Sequence, residues 1–195
     1  MRTAKVDRKT KETDIKLTIN LDGKGQYSID TSIPFLDHML SLMCKHGIFD
    51  MKLKAKGDID IDYHHTVEDI GIVLGKAIKQ ALGDMKGISR FGQATVPMDE
   101  ALASVNLDIS RRPYFVYKVV FPKKSKIKNF DPDLIEDFLQ AFVSNSGITL
   151  HVESPYGRNT HHIIEAVFKA LGRALKNAVS VDPRMKSIPT TKGQL

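Results

Sequence analysis

Two stretches of the chain carry the same pairing, His64-His65-Thr66-Val67-Glu68 and His161-His162-Ile163-Ile164-Glu165. Residues three and four apart share a helix face, so each glutamate reaches the side of its own histidines. Consecutive residues on a helix point about 100° apart, so adjacent histidines do not easily chelate one small ion. One consequence is that the two rings of a pair face different metals, and two copies of the motif supply matched halves of two sites. Imidazole nitrogen with carboxylate oxygen suits a borderline divalent ion, namely Mn²⁺, Fe²⁺, Co²⁺, Ni²⁺ or Zn²⁺. The plainer alternative makes these residues exposed or capping histidines at a helix start. It accounts for one such motif but gives no reason for a second at a matched place. Two more histidines could complete the sets. His38 lies in FLDHML beside Asp37, whose carboxylate could orient a ring, and His151 lies in ITLHVES just before the second motif. A buried structural role competes at each. His46, in KHG, reads as a C-terminal capping residue without chemistry.

Cationic side chains offer anion sites: Arg90 in GISRFG, Arg111 and Arg112 in SRRP, Lys169 one turn past Glu165, and Lys192 in TTKGQL. Solvated surface charge is the default reading of each, as it is for the acid Glu12 in KETD. KKSKIK at 123–128 reads as a solvated loop. There is no P-loop, no dinucleotide fingerprint, no nucleophile elbow and no aromatic-basic RNA-binding pattern.

The elements that must position these groups follow from hydrophobic period. Residues 15–29 read as two strands around a Gly-Lys-Gly turn. Phe35, Leu36, Met39, Leu40 and Met43 fall at helical spacing, with Gly47 as the stop. Residues 48–63 hold two alternating patterns separated by Gly57. From His64 a helical face of Val67, Ile70, Val73, Leu74, Ala77, Ile78 and Ala81 runs to about Leu82. The order then repeats: strands over 101–109 and 114–121 joined by SRRP, a helix over 134–143, a strand over 148–153 and a helix over 162–179. HHTVEDIGIVLGKAIKQA at 64–81 aligns without gaps on HHIIEAVFKALGRALKNA at 161–178, and NLD at 20–22 recurs at 106–108. The chain therefore reads as a duplicated strand-strand-helix-strand-helix unit, residues 1–92 and 93–195, sharing one α/β core of sheets and helices.

Composition sets the outer limits. With 195 residues, 42% hydrophobic and 27% charged, the chain has the make-up of a globular domain and not of a disordered or collagen-like one. No apolar run approaches the roughly 20 residues that span a bilayer, and MRTAKVDRKTKETD lacks the apolar centre of a signal peptide. One cysteine, Cys44, permits neither an internal disulfide nor a thiolate zinc site, and a reducing cytoplasm is the simplest setting. The net charge of +6 suggests an anionic partner without naming it.

FLDHML (35–40), DYHHTVEDIGIVLG (62–75), ALGDMKGISRFG (81–92), PMDEALA (97–103), SRRPY (110–114), YGRNTHHIIEAVFKALGRAL (156–175) and TTKGQL (190–195) together resemble the imidazoleglycerol-phosphate dehydratase family of histidine biosynthesis, over essentially the whole chain. The resemblance implies two similar α/β halves, related to the ribosomal-protein-domain type of sheet-and-helix sandwich. It implies two manganese(II) ions per active site, and trimers assembled into a 24-subunit particle with active sites at subunit contacts. It implies as metal ligands His38, His64, His65, Glu68, His151, His161, His162 and Glu165, three histidines and one glutamate per ion, without saying which residue serves which ion. Phosphate contacts map onto Arg90, Arg112, Thr190 and Lys192, and other substrate contacts onto Lys169 and Glu12. The chain departs from the family in having Leu42 for Gln, Arg111 for Gly, Thr190 for Ser and Gln194 for Val. No phosphatase domain is attached.

The implied reaction converts D-erythro-imidazole-glycerol phosphate to imidazole-acetol phosphate and water. The carbon that loses its proton adjoins the imidazole and no carbonyl, so the ring must accommodate the developing charge. Glu12 is the candidate acid-base group, with Glu68 and Glu165 chiefly ligands. Two other classes compete: a di-metal phosphate-ester hydrolase, marked by phosphate release, and a basic nucleic-acid-binding module, marked by salt-sensitive binding.

Overall fold

In both halves of the chain, apolar residues alternate along the strands and recur every three to four residues along the helices. In a computed structural model describing residues 1–122 and 127–192, these patterns become twelve named elements. The first half comprises β1 (Thr3–Lys9), β2 (Thr13–Asn20), β3 (Tyr27–Asp30), α1 (Pro34–Gly47), β4 (Asp50–Gly57) and α2 (His64–Leu82). The second comprises β5 (Phe91–Met98), β6 (Ala101–Asp108), β7 (Tyr114–Lys118), α3 (Leu134–Ser146), β8 (Thr149–Tyr156) and α4 (Thr160–Val179). Each half forms its own four-stranded sheet, in the orders β1-β2-β4-β3 and β5-β6-β8-β7. The last strand pairs in parallel with its neighbour in both sheets, and the other pairings are antiparallel. The division expected after residue 92 lies at the start of β5.

Each sheet buries one face. Ile15, Leu17 and Ile19 of β2 and Met51, Leu53 and Ala55 of β4 point inward, while the residues between them point out. The helices cover the inner faces and meet each other across the halves, α2 on α3 and α1 on α4, giving a sheet-helix-helix-sheet sandwich. The matched glycines of the repeat explain how closely the helices approach. A Cβ on Gly75 would stand 2.6 Å from the Phe142 carbonyl oxygen, and one on Gly172 would stand 2.4 Å from that of Met43. Only a residue without a side chain fits at either crossing.

Several elements depart from the sequence expectation. Each half has an edge strand that was not expected, β1 and β5. Both are edge strands with only one deeply buried residue apiece, Ala4 and Gly92, so their apolar alternation is faint. Residues 15–29 do form two strands, but β3 pairs with β4 and not with β2. Only one strand lies within 48–63. Residues 58–63 turn instead, with the Ile61 N–H donating to the Asp58 carbonyl. Gly47 is not the left-handed stop of α1. That conformation falls on Ile48 at φ 58°, and a Cβ on Gly47 would meet the Phe49 ring at 2.5 Å.

Candidate metal centre

At the entry to both motif helices a side chain two residues before the first histidine accepts its backbone N–H. The Asp62 carboxylate accepts the His64 backbone N–H at 2.8 Å, and the Asn159 side chain accepts that of His161 at 2.9 Å. The histidine rings are therefore not the caps and remain available for other partners. In the second half they find them. His38, from α1, and His161, from α4, direct Nε2 onto one carboxylate oxygen of Glu165 at 2.8 and 3.1 Å. The ligand atoms of these three residues lie within 4.8 Å of one another. Two imidazole nitrogens and a carboxylate oxygen at that spacing form a donor set suited to a borderline divalent cation. The helix crossing of α1 on α4, set by Gly172, is what brings His38 to a motif more than a hundred residues away.

Glu165 is the electrostatic centre of this group. Its second oxygen meets Lys169 Nζ at 2.6 Å, and that ammonium also reaches Met98 Sδ at 3.1 Å. Burial raises the pKa of Glu165, but hydrogen bonds from Lys169, His38 and His161 outweigh it and hold the group down at about 2. It is thus a fixed anion at neutral pH, the state a ligand needs and a proton donor cannot use. A cavity of about 920 Å³ opens beside His38 and His161, walled by Pro34, Phe35, Tyr63 and Phe130. Phe35 stacks edge-on against His161, then against Phe130, which faces Tyr63, so aromatic rings separate this centre from His64.

The remaining expected ligands stand elsewhere on the chain. His64 Nδ1 lies 3.3 Å from Asp137 of α3, and Glu68 is exposed beside it on α2. His65 and His162 each turn Nδ1 to a carboxylate, Asp58 at 2.9 Å and Glu100 at 2.7 Å. The hydrogen bond from His162 chiefly holds Glu100 down at about 2. His151 projects from the outward face of β8, beside Asn106 and Val116 on the flanking strands. Asp37 does not orient His38. Its carboxylate accepts the Thr31 N–H and hydroxyl at 2.9 and 2.6 Å, closing the loop before α1. Among the described residues, one chain therefore gathers three of the eight expected ligands.

Of the anion candidates, Arg90, Thr190 and Lys192 come together at the C-terminal tail. Arg90, at φ 68°, forms a two-pronged pair with Asp108 at 2.6 and 3.0 Å and donates to the Pro189 carbonyl at 2.9 Å. The Thr190 hydroxyl accepts the Lys192 N–H at 3.1 Å. Arg112 is exposed in the loop after β6, and Arg111 adopts φ 58°, a left-handed conformation that glycine adopts more readily. Glu12 sits in the β1–β2 turn. Its charge reinforces the upward shift of the His65 pKa, whose main cause is the hydrogen bond to Asp58. That turn is tied to α2 through Asp69, which accepts from the Thr13 hydroxyl at 2.5 Å and pairs with Arg8 at 2.8 Å. Leu42 packs against the core. Residues 123–126 of the basic run, and Gln194, lie outside the described residues.

A family model of imidazoleglycerol-phosphate dehydratase matches residues 31–175. The chain belongs to that family. An imidazoleglycerol-phosphate dehydratase of Geobacter sulfurreducens is 59% identical over 194 residues, covering 100% of this chain and 99% of the relative. Among solved structures, the imidazoleglycerol-phosphate dehydratase of Staphylococcus aureus superposes with a TM-score of 0.83 at 38% identity, over 92% of this chain and 99% of that one. A Pyrococcus furiosus member, solved in complex with (S)-C348, gives 0.83 at 37% identity, over 97% and 100%. The dehydratase family and the two-sheet, four-helix fold therefore agree. Asp58, Glu100 and Asp137 were not singled out from sequence. The only signal was their place in GDID, PMDEALA and LIEDF, which looks like ordinary surface charge.

Proposed function

We propose that this chain dehydrates D-erythro-imidazole-glycerol phosphate to imidazole-acetol phosphate in L-histidine biosynthesis, using two manganese(II) ions per active site. The carrying observation is the convergence of His38, His161 and Glu165 within 4.8 Å in a chain of this family. The three groups, two imidazole nitrogens and a carboxylate held ionised, are of the kinds that fit such an ion. When bound, the metal supplies Lewis acidity and a template for the imidazole and hydroxyls of the substrate.

The chain's own groups account for the rest. Glu165 stays ionised and bonded to Lys169, so it serves as ligand and not as acid-base group. Glu12 is solvent-facing and unburdened by an ion pair among the described residues, which suits proton exchange at the carbon beside the ring. Lys169 adds positive charge beside the ligand carboxylate, toward the substrate. Arg90 organises the tail that carries Thr190 and Lys192, and with the exposed Arg112 these groups hold the phosphate. His64, His65, Glu68, His151 and His162 complete the ligand sets. They are partly or fully exposed at the surface, which supports active sites shared between subunits, with trimers assembling to a 24-mer. The buried free thiol of Cys44 agrees with a cytoplasmic setting.

Assay of the manganese-loaded protein tests this reading. Formation of the ketone product without phosphate release is expected; release of inorganic phosphate would make it a hydrolase. Glu12→Gln is expected to keep metal content and particle mass while losing turnover by roughly 10²-fold or more. Near-normal turnover would remove Glu12 from the role. Chelation is expected to lower the particle mass in light scattering, and Mn²⁺ to restore it.

A further inference from the structure

His65 and His162 stand at the same place in the two copies of the motif and make the same contact by different means. Each donates through Nδ1 to a carboxylate, His65 to Asp58 at 2.9 Å and His162 to Glu100 at 2.7 Å. The carboxylates are not repeat equivalents. Asp58 follows β4 in the loop that enters α2, whereas Glu100 lies in the turn between β5 and β6. A contact inherited with the duplication would come from matching positions. Here one geometry is reached from two unrelated backbone origins, which points to a requirement on the ring itself.

The carboxylates are also held in one orientation. The free oxygen of Glu100 accepts the backbone N–H groups of Arg158 and Asn159 at 3.1 and 2.8 Å, pinning it to the entry of α4. Among the described residues the second oxygen of Asp58 is buried without a hydrogen bond, and His65 is the side-chain partner that orients this carboxylate. An ionised carboxylate only accepts, so Nδ1 must bear the proton. In a neutral imidazole Nε2 is then left with its lone pair. His38 and His161 differ, since both direct Nε2 onto Glu165.

We infer that Asp58 and Glu100 are positioning residues that lock His65 and His162 in the Nδ1–H tautomer and present Nε2 outward as a ready donor to a divalent cation. The cation part rests on the manganese reading above; the tautomer part does not. The sharpest test is Glu100→Gln. The two backbone donors claim the amide oxygen, so the amide NH₂ faces His162 and drives the proton to Nε2. Solid-state NMR of metal-free, ¹⁵N-histidine-labelled protein at alkaline pH, assigned against His162→Asn, reads the tautomer directly. Wild type is expected to show Nδ1–H at His162, and Glu100→Gln is expected to show Nε2–H with an unchanged circular dichroism spectrum. Titration with Mn²⁺, followed by electron paramagnetic resonance of the free ion, is expected to show affinity falling by about 10–100-fold. Asp58→Ala provides an independent arm in the other half, should Glu100→Gln fail to fold, with the same expected loss. An Nε2–H ring at His162 in wild type, or a variant with unchanged tautomer and affinity, would overturn the inference. Wild-type protein with the Nδ1–H ring but no Mn²⁺ binding would uphold the lock and overturn the manganese reading instead.

Discussion

Glu68 and Glu165 occupy one position in two copies of a motif, yet their surroundings have little in common. Glu165 is 7% exposed and accepts from His38, His161 and Lys169. Glu68 is exposed. The difference lies in what the facing helix and the next turn supply. The buried residues Leu36, Met39, Leu40 and Met43 of α1 match Ile135, Phe138, Leu139 and Phe142 of α3, which aligns His38 with Asp137. The turn after the glutamate carries Lys169 in one half and Ile72 in the other. An acid and an aliphatic group offer a carboxylate no donor, whereas a histidine and a lysine do. The matched motifs keep the same residue types and helical backbone, and differences at two neighbours leave one glutamate bonded within the chain and the other facing outward.

Substitutions at these matched places test that contrast. The largest expected effect is at the glutamates themselves. Glu165→Ala leaves the Lys169 ammonium, whose side chain is 15% exposed, without its carboxylate. In metal-free protein this is expected to cost about 2–3 kcal/mol, at or below the low end of a fully dry pair because solvent still reaches the lysine. Glu68→Ala is expected to stay within about 0.5 kcal/mol of wild type under the same conditions. Urea denaturation in chelator measures both, and equal losses would erase the distinction between the halves.

The helix crossings are expected to behave alike where the carboxylates do not. Gly75→Ala and Gly172→Ala each force a methyl group toward a carbonyl oxygen, at 2.6 and 2.4 Å. Each is expected to cost about 1–2 kcal/mol by parting its helix pair. A harmless substitution at either would mean that the two crossings are not equivalent.

The smallest effect reverses sign between the halves. Helices α1 and α3 both end on a left-handed residue, Ile48 at φ 58° and Gly147 at φ 74°. A β-branched side chain is strained there and glycine is not. Ile48→Gly is expected to stabilise by roughly 1 kcal/mol, less what the half-exposed side chain gains from packing, and Gly147→Ala to destabilise by about 1 kcal/mol. Shifts of the thermal midpoint in opposite directions check this.

Legibility in the sequence followed interaction range. The helices over 34–47 and 64–82, and the strands β2 and β8, announce themselves because period and burial coincide in short windows. β1 and β5 do not, because an edge strand is held largely by its neighbour's backbone and leaves a weak apolar signature. Residues 58–63 alternate like a strand, but Asp58 is taken up by His65 and Asp62 by the His64 N–H, and a turn results. The same limit governed the site. Paired histidines and glutamates were visible as residue types. Which nitrogen faces which oxygen was not, because Asp58, Glu100 and Asp137 look like any surface acid until the chain closes.

The sequence by itself determined the internal repeat of the motif, the helix faces, the residue types at the candidate site and, through seven matching stretches, the family. These are properties of local spacing and of residue identity, and both survive in one dimension. Only the tertiary structure decided that His38 joins His161 at Glu165 while His64 meets Asp137. That choice depends on which helices cross at Gly75 and Gly172, where packing between residues distant in sequence sets the partners.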